Sequence, residues 1–269
     1  MRAAAAMPDP TPALIMRGLA VASMKNPNII VARDLNWTVL PGEFWVVGAP
    51  QHSGKSDFLM TAGGIMSPAE GELSLLGEPM PIFEEARLAH RLKLGFVFDG
   101  GQLLGSLTVA ENIALPLRYH SRLPAEALAA RVQELLEVTE LTPWADLTPI
   151  NVARSWQQRA GLARALALSP EVLLLDSPLT GLDMRHTAWW LDFLSALARG
   201  HHSLAGKPLT LVATADDLRP WRQHADHVAC LGGNRLLVVG DWAAAEGCRE
   251  PVVQELLRTE PGPGRVRAT

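Results

Sequence analysis

A glycine-rich turn, Gly48-Ala49-Pro50-Gln51-His52-Ser53-Gly54-Lys55-Ser56-Asp57, follows a run of apolar residues and precedes a helical pattern. Strand, loop, Lys-Ser and helix in that order form a layout suited to phosphate. Successive backbone N–H groups make a nest for phosphate oxygens, and the helix N-terminus adds partial positive charge. Lys55 would reach the outer phosphates of a nucleotide, and Ser56 would offer its hydroxyl to Mg²⁺. A second stretch supplies the complementary group. Val172 to Leu175 are four consecutive apolar residues ending in Asp176, which reads as a strand buried on both faces of a parallel sheet. Asp176 then sits at the strand's carboxyl end, where open α/β sheets place ligands. A carboxylate there can hold the water shell of a phosphate-bound Mg²⁺. Each stretch alone has a plainer reading: a Gly-Lys-Ser turn with no ligand, or a buried strand ending in a turn Asp.

Other elements must position these groups. Leu14–Ala22, Leu35–Val39 and Glu43–Gly48 read as strands, followed by a helix from Asp57 to about Gly63. Strands are expected at 72–76, 94–98 and 209–213, and a hairpin at 226–240 over Gly232-Gly233-Asn234. Helices are expected at 82–92, 124–138, 155–168 and 185–198. Leu128, Val132, Leu135 and Leu136 share one face of the third strong apolar pattern, which marks plain core packing. Trp189-Trp190 reads as core or subunit interface, and His201-His202 as a solvated pair in a polar loop.

Composition narrows the classes. The chain has 269 residues, 48% apolar and 19% charged, which suits a globular protein with a sizeable core. A net charge of −4 gives no electrostatic case for a nucleic-acid partner. Cys230 and Cys248 are too few for a disulfide framework, and their spacing suits no metal knuckle. No apolar run reaches the roughly 18 residues of a membrane span. Residues 1–12 read as a disordered leader and 259–269, rich in Pro and Gly, as a disordered tail.

The run Val172–Asp183, with Gly181, Leu182 and Asp183 after the strand, resembles the Walker B and D-loop segment of ATP-binding-cassette (ABC) ATPases. The loop at 48–57 resembles their Walker A. Residues 95–118, with Thr108, Val109, Glu111, Asn112, Pro116, Leu117 and Arg118, resemble the Q-loop and its following helix. This form is most similar to the cassettes of Mla-type lipid-asymmetry importers. Gln157-Gln158-Arg159 and Arg164 resemble the helix behind the ABC signature, which falls on Val152–Trp156. The resemblance runs in order from about Leu14 to Gly240. It implies an α/β fold: a P-loop NTPase (RecA-like) core with an antiparallel β subdomain and a helical insert. The cassette would span 13–258, with the helical part at about 100–168. It also implies ATP and Mg²⁺ as cofactors, a membrane permease subunit as partner, and a homodimer or a heterodimer with another cassette. Such subunits are cytoplasmic and peripheral on the inner face of the membrane.

Several positions depart from the family's pattern. Ser177 stands where the family carries its catalytic Glu, Asp99 where it carries the Q-loop Gln, and Ala215 where it carries the switch His. Ala153, Arg154 and Ser155 replace the signature Ser-Gly-Gly. In the phosphate loop, Ala49 takes a strict Gly position with Gly48 one place earlier, His52 a second Gly position, and Asp57 a hydroxyl position. Ser is no general base near neutral pH, Ala has no polar group, and Asp cannot donate as an amide does. Asp57 beside phosphate would meet like charge, so it is expected to fill part of the anion site itself. No aromatic lies near Met24, where many cassettes stack one on adenine. The reading is an ATP-binding subunit of an ABC-type transporter, for phospholipid or other lipophilic cargo, with hydrolysis impaired or lost. The alternative is a non-hydrolysing structural or nucleotide-sensing adaptor.

Overall fold

A computed structural model describes residues 10–82 and 84–258. The expected leader and tail therefore lie outside the described residues, except for Pro10-Thr11-Pro12, which carry neither helix nor strand.

Two sheets share the core. β1 (Leu14–Ala22) pairs antiparallel with β2 (Ile30–Val39) on one side and β4 (Glu70–Leu75) on the other. The two-residue β5 (Glu78–Pro79) extends it, giving the order β2-β1-β4-β5. Leu14, Met16, Trp37, Val39, Leu73 and Leu75 turn one face inward, onto Trp45, Val47 and Phe58. β2 starts five residues before the expected Leu35, because the β1–β2 pairing continues through register shifts to Ala22–Ile30.

The larger sheet is ordered β10-β9-β3-β8-β7-β6, with β3 (Phe44–Gly48), β6 (Leu94–Val97), β7 (Val172–Leu175), β8 (Thr210–Ala215), β9 (His227–Gly232) and β10 (Arg235–Gly240). All neighbours run parallel except β10, which forms the expected hairpin with β9. Alternate residues of β7 enter different cores. Val172 and Leu174 pack toward the antiparallel sheet, Leu173 and Leu175 toward the helices. A strand covered on both faces must be apolar throughout, which is why this run has no polar interruption before Asp176.

The helices are α1 (Lys55–Ala62), α2 (Leu88–Arg91), α3 (Val109–His120), α4 (Ala125–Val138), α5 (Arg154–Leu166), α6 (Met184–Arg199), α7 (Trp242–Gly247) and α8 (Pro251–Leu257). α3 starts in a capping box: the Glu111 N–H donates to Thr108 Oγ1 and the Thr108 N–H to Glu111 Oε2, at 3.1 and 2.8 Å. Asn112, fully buried, holds the preceding loop by accepting from the Leu104 N–H and donating to the Leu104 and Thr108 carbonyls. α3, α4 and α5, which follow β6 and precede β7 in the chain, pack together.

The structure departs from the sequence reading at three places. The connection at 82–92 is only a 3-10 turn at Glu85–Arg87 followed by the four-residue α2, too short to bury an apolar stripe. α7 and α8 had not been anticipated. α7 rests on its Asp241 cap, and α8 opens on Pro251. Of the pair expected to be solvated, His202 is exposed, whereas His201 is half-buried and caps a short turn, its Nδ1 accepting from the Ser203 N–H at 3.2 Å.

Candidate functional site

β3 delivers the phosphate-type loop to the carboxyl edge of the sheet. Gly48 lies opposite Ala215 of β8, and the Ala49 N–H donates to the Ala215 carbonyl at 2.8 Å. From behind, α8 closes on this point: a Cβ on Gly48 would come within 2.9 Å of Leu256 Cδ1. Ala49 is fully buried with an ordinary backbone, so nothing there requires glycine. Gly54 is different. Its φ is +84°, and a Cβ would sit 1.9 Å from Val31 Cγ1. His52 holds φ +60° without being glycine, at a cost of about 1 kcal/mol.

A cavity of about 1030 Å³ opens over this loop. Of the expected site residues, Gln51, His52, Ser53, Gly54, Lys55, Ser56, Asp57, Asp99 and Ser177 line it, whereas Gly48, Ala49, Pro50, Asp176 and Ala215 lie behind its wall. Met24, Ile29 and Val31 add an apolar rim. Among the described residues, neither Lys55 nor Ser56 makes a side-chain hydrogen bond or ion pair. Ser53 Oγ is buried without a partner. A donor cradle left unsatisfied in this way fits an anionic ligand. A second depression, about 1050 Å³, lies at the opposite ends of the strands. Of its cations, Lys93 and Arg131 are paired with Glu171 and Glu134, and Lys207 lies in the same wall.

Asp57 does not fill the anion site as expected. Its Oδ1 accepts from the Met24 N–H at 3.0 Å and so ties the β1–β2 connection to α1. Replacing Asp57 with Ala should free that amide, costing about 1 kcal/mol. Hydrogen exchange at Met24 should then accelerate about fivefold. Unchanged protection would show that the carboxylate does not hold the loop.

The end of β7 is held by Thr214, a residue the sequence reading passed over. Its Oγ1 donates to Asp176 Oδ1 at 3.0 Å and accepts from the Ser177 N–H at 2.9 Å. Ser177 is buried at φ +48°, with Oγ 3.4 Å from both Asp176 Oδ1 and Thr214 Oγ1. A hydroxyl directly after the apolar run Leu211-Val212-Ala213 was the signal available for Thr214. Ala215 offers only a buried methyl.

Arg154, in the segment that takes the signature's place, is an exposed surface arginine and is paired. Its Nη2 donates to Asp99 Oδ1 at 2.8 Å, although both side chains remain exposed. Below it, Arg159 is almost fully buried. Its guanidinium carbon lies 4.4 Å from the Trp156 ring centre and 3.7 Å from that of Trp189, and Nη1 donates to Glu140 at 2.7 Å. Arg159 Nη2 lies 3.2 Å from His186 Nδ1, which must accept there. Burial first, and then the Arg159 charge, lower the His186 pKa. Burial, then His202, lower that of His201. Between these lowered folded values and the unfolded value near 6.5, the unfolded chain binds more protons. Stability should therefore be full above pH 6.5 and decline as pH falls below it. Melting temperatures at pH 7.5 and 5.5 measure this, and His186→Gln should reduce the difference.

Residues 32–180 match the family model described as "ABC transporter". Over 236 residues, 87% of this chain and 86% of the relative, the sequence is 30% identical to the intermembrane phospholipid transport system ATP-binding protein MlaF of Escherichia coli (strain K12). It is 35% identical over 205 residues to the methionine import ATP-binding protein MetN of Caulobacter vibrioides, covering 76% of this chain and 59% of that protein. Among solved structures, the dimeric ATP-binding cassette MJ0796 in a post-hydrolysis state bound to ADP and Pi matches with a TM-score of 0.74 at 28% identity. That match covers 83% of this chain and 96% of that one.

Proposed function

Since the chain belongs to the ABC transporter ATP-binding family, we propose that it is the nucleotide-binding subunit of a membrane transporter, with ATP cleavage impaired or lost. The cavity over Gln51–Asp57 is the observation that carries nucleotide binding. Lys55 would meet the outer phosphates, and the orphaned Ser53 hydroxyl and the loop N–H groups the inner ones. Ser56 in the cavity wall would hold Mg²⁺, with Asp176 behind it holding the ion's water shell; Mg²⁺ when bound neutralises charge on the phosphates. Asp176 keeps one oxygen committed to Thr214, which orients the other.

Loss of cleavage rests on three positions. Attack on a γ-phosphate needs an oriented water and a group to take its proton. Ser177 turns its hydroxyl toward Asp176 and Thr214, Ala215 is a methyl, and Asp99 is engaged by Arg154. Ser177 and Ala215 offer no base for that water, and the Asp99 carboxylate is held in its ion pair with Arg154. Among the described residues no helix is long and apolar enough to cross a membrane, which suits a subunit that docks on a permease. The likeness to MlaF favours phospholipid or other lipophilic cargo. The match to a dimeric cassette favours pairing with a second copy or with another cassette. The replacement of the family's catalytic groups at Ser177, Asp99 and Ala215 equally favours a nucleotide-sensing adaptor in such an assembly. Calorimetric titration with Mg-ATP, followed by phosphate release on the same sample, tests the proposal. Binding with turnover at background is expected. Absence of binding would make the loop mere scaffold.

A further inference from the structure

The two departures that meet at Asp99 and Arg154 belong to different motifs, yet they touch. We infer that Arg154 is the positioning and charge-compensating partner of Asp99, so that the cavity admits a polyphosphate despite the carboxylate in its wall. This inference rests on the nucleotide-binding reading above and deepens it.

Asp99 lines the same cavity as Lys55 and Ser56. Asp57 and Asp216 line it as well, so its wall carries more carboxylate than its loop alone would. Asp57 is held by the Met24 N–H, and Asp216 Oδ2 lies 3.5 Å from Gln51 Nε2. Asp99 alone of the three is paired with a full positive charge. Arg154 is the first residue of α5, where the helix dipole disfavours a cation, and no acidic residue lies in that first turn. Its location thus has no local cause in the helix. The chain between the two residues is shaped for the contact. Gly100 has φ +71°, and a Cβ there would stand 3.3 Å from Arg154 Cζ and Nη2, so the guanidinium lies flat on the bare backbone. Gly101 presses still closer: its Cβ would fall 2.2 Å from the Gln157 carbonyl oxygen. At the far end of the same helix, Arg164 donates to the Gly101 and Gln102 carbonyls at 2.8 and 3.0 Å. The segment after β6 is therefore stitched to α5 by an arginine at each end, and the Asp99 carboxylate is set by the helix.

The partition of charge follows. With Arg154 in place, an incoming polyphosphate meets a neutral pair. Without it, the polyphosphate meets a bare carboxylate, and the repulsion is greatest when no Mg²⁺ screens the phosphates.

A double-mutant cycle read by ATP affinity tests this. Arg154→Ala should weaken Mg-ATP binding about fivefold and Mg-free ATP binding, in EDTA, at least about tenfold. Arg154→Lys should recover most of the loss. Asp99→Asn should bind at least as tightly as the native chain. Adding Arg154→Ala to Asp99→Asn should change affinity less than twofold in either condition. Thermal melting separates this from a structural role, because Arg154→Ala alone should not lower the melting temperature enough to unfold the chain at the assay temperature. An equal loss from Arg154→Ala in both backgrounds overturns the inference, since Arg154 would then act without Asp99. So does an unchanged affinity in Arg154→Ala while the native chain binds ATP. Failure of the native chain itself to bind ATP overturns the nucleotide reading, and this inference falls with it.

Discussion

Lys55→Ala is expected to lower Mg-ATP affinity at least a hundredfold, about 2.7 kcal/mol. Lys55 is the one cation of the phosphate-type loop, and among the described residues its ammonium has no carboxylate partner. A charge-assisted contact to a polyphosphate is worth roughly 1.5–3 kcal/mol. The side chain is half-exposed and supports no packing layer, so the fold should be unaffected. Titration calorimetry measures the affinity, and circular dichroism checks the fold. A loss below threefold would mean that the loop does not hold phosphate.

The second large effect is a gain. Ser177→Glu combined with Ala215→His should raise phosphate release from background by about a hundredfold or more, because a positioned general base alone contributes roughly 10²–10⁴. Ser177 lines the cavity, so a longer side chain has room to enter it. Position 177 already holds a left-handed backbone as a non-glycine residue, so the exchange adds no new backbone strain. Ala215 is buried against the Ala49 N–H, and an imidazole there must turn outward, which makes the single Ala215→His variant the weaker of the two. Robust turnover by the native chain, abolished by Lys55→Ala, would overturn the loss of cleavage. No gain in the double variant would point to Arg154 and the signature segment as limiting.

What could be read from the sequence was local, or carried by order along the chain. The loop at 48–57, the apolar run into Asp176 and the 226–240 hairpin each declare themselves within about a dozen residues, by glycine placement or by unbroken hydrophobicity. The contacts that decide the chemistry are not local. Arg154 finds Asp99 across 55 positions, Thr214 finds Asp176 across 38, and Asp57 finds Met24 across 33. At each of these the sequence shows a polar residue of plausible type without its partner. Asp57 illustrates the failure: a carboxylate near a helix start has a good local explanation, and the longer-range amide took it instead. α7 and α8 were missed because six and seven residues are too few to show a helical period.

The place of β3 in the sheet has a bearing on synthesis. Its neighbours on both sides, β8 and β9, are the products of residues 210–232, so the strand leading to Gly48 leaves the ribosome long before either flank exists. Until then Phe44-Trp45-Val46-Val47 is an unpaired hydrophobic ribbon, the kind of edge on which chains cross-associate. A polypeptide stopped short of residue 210 keeps every residue of the phosphate-type loop, and it should nonetheless be recovered as aggregate and not as a small working module.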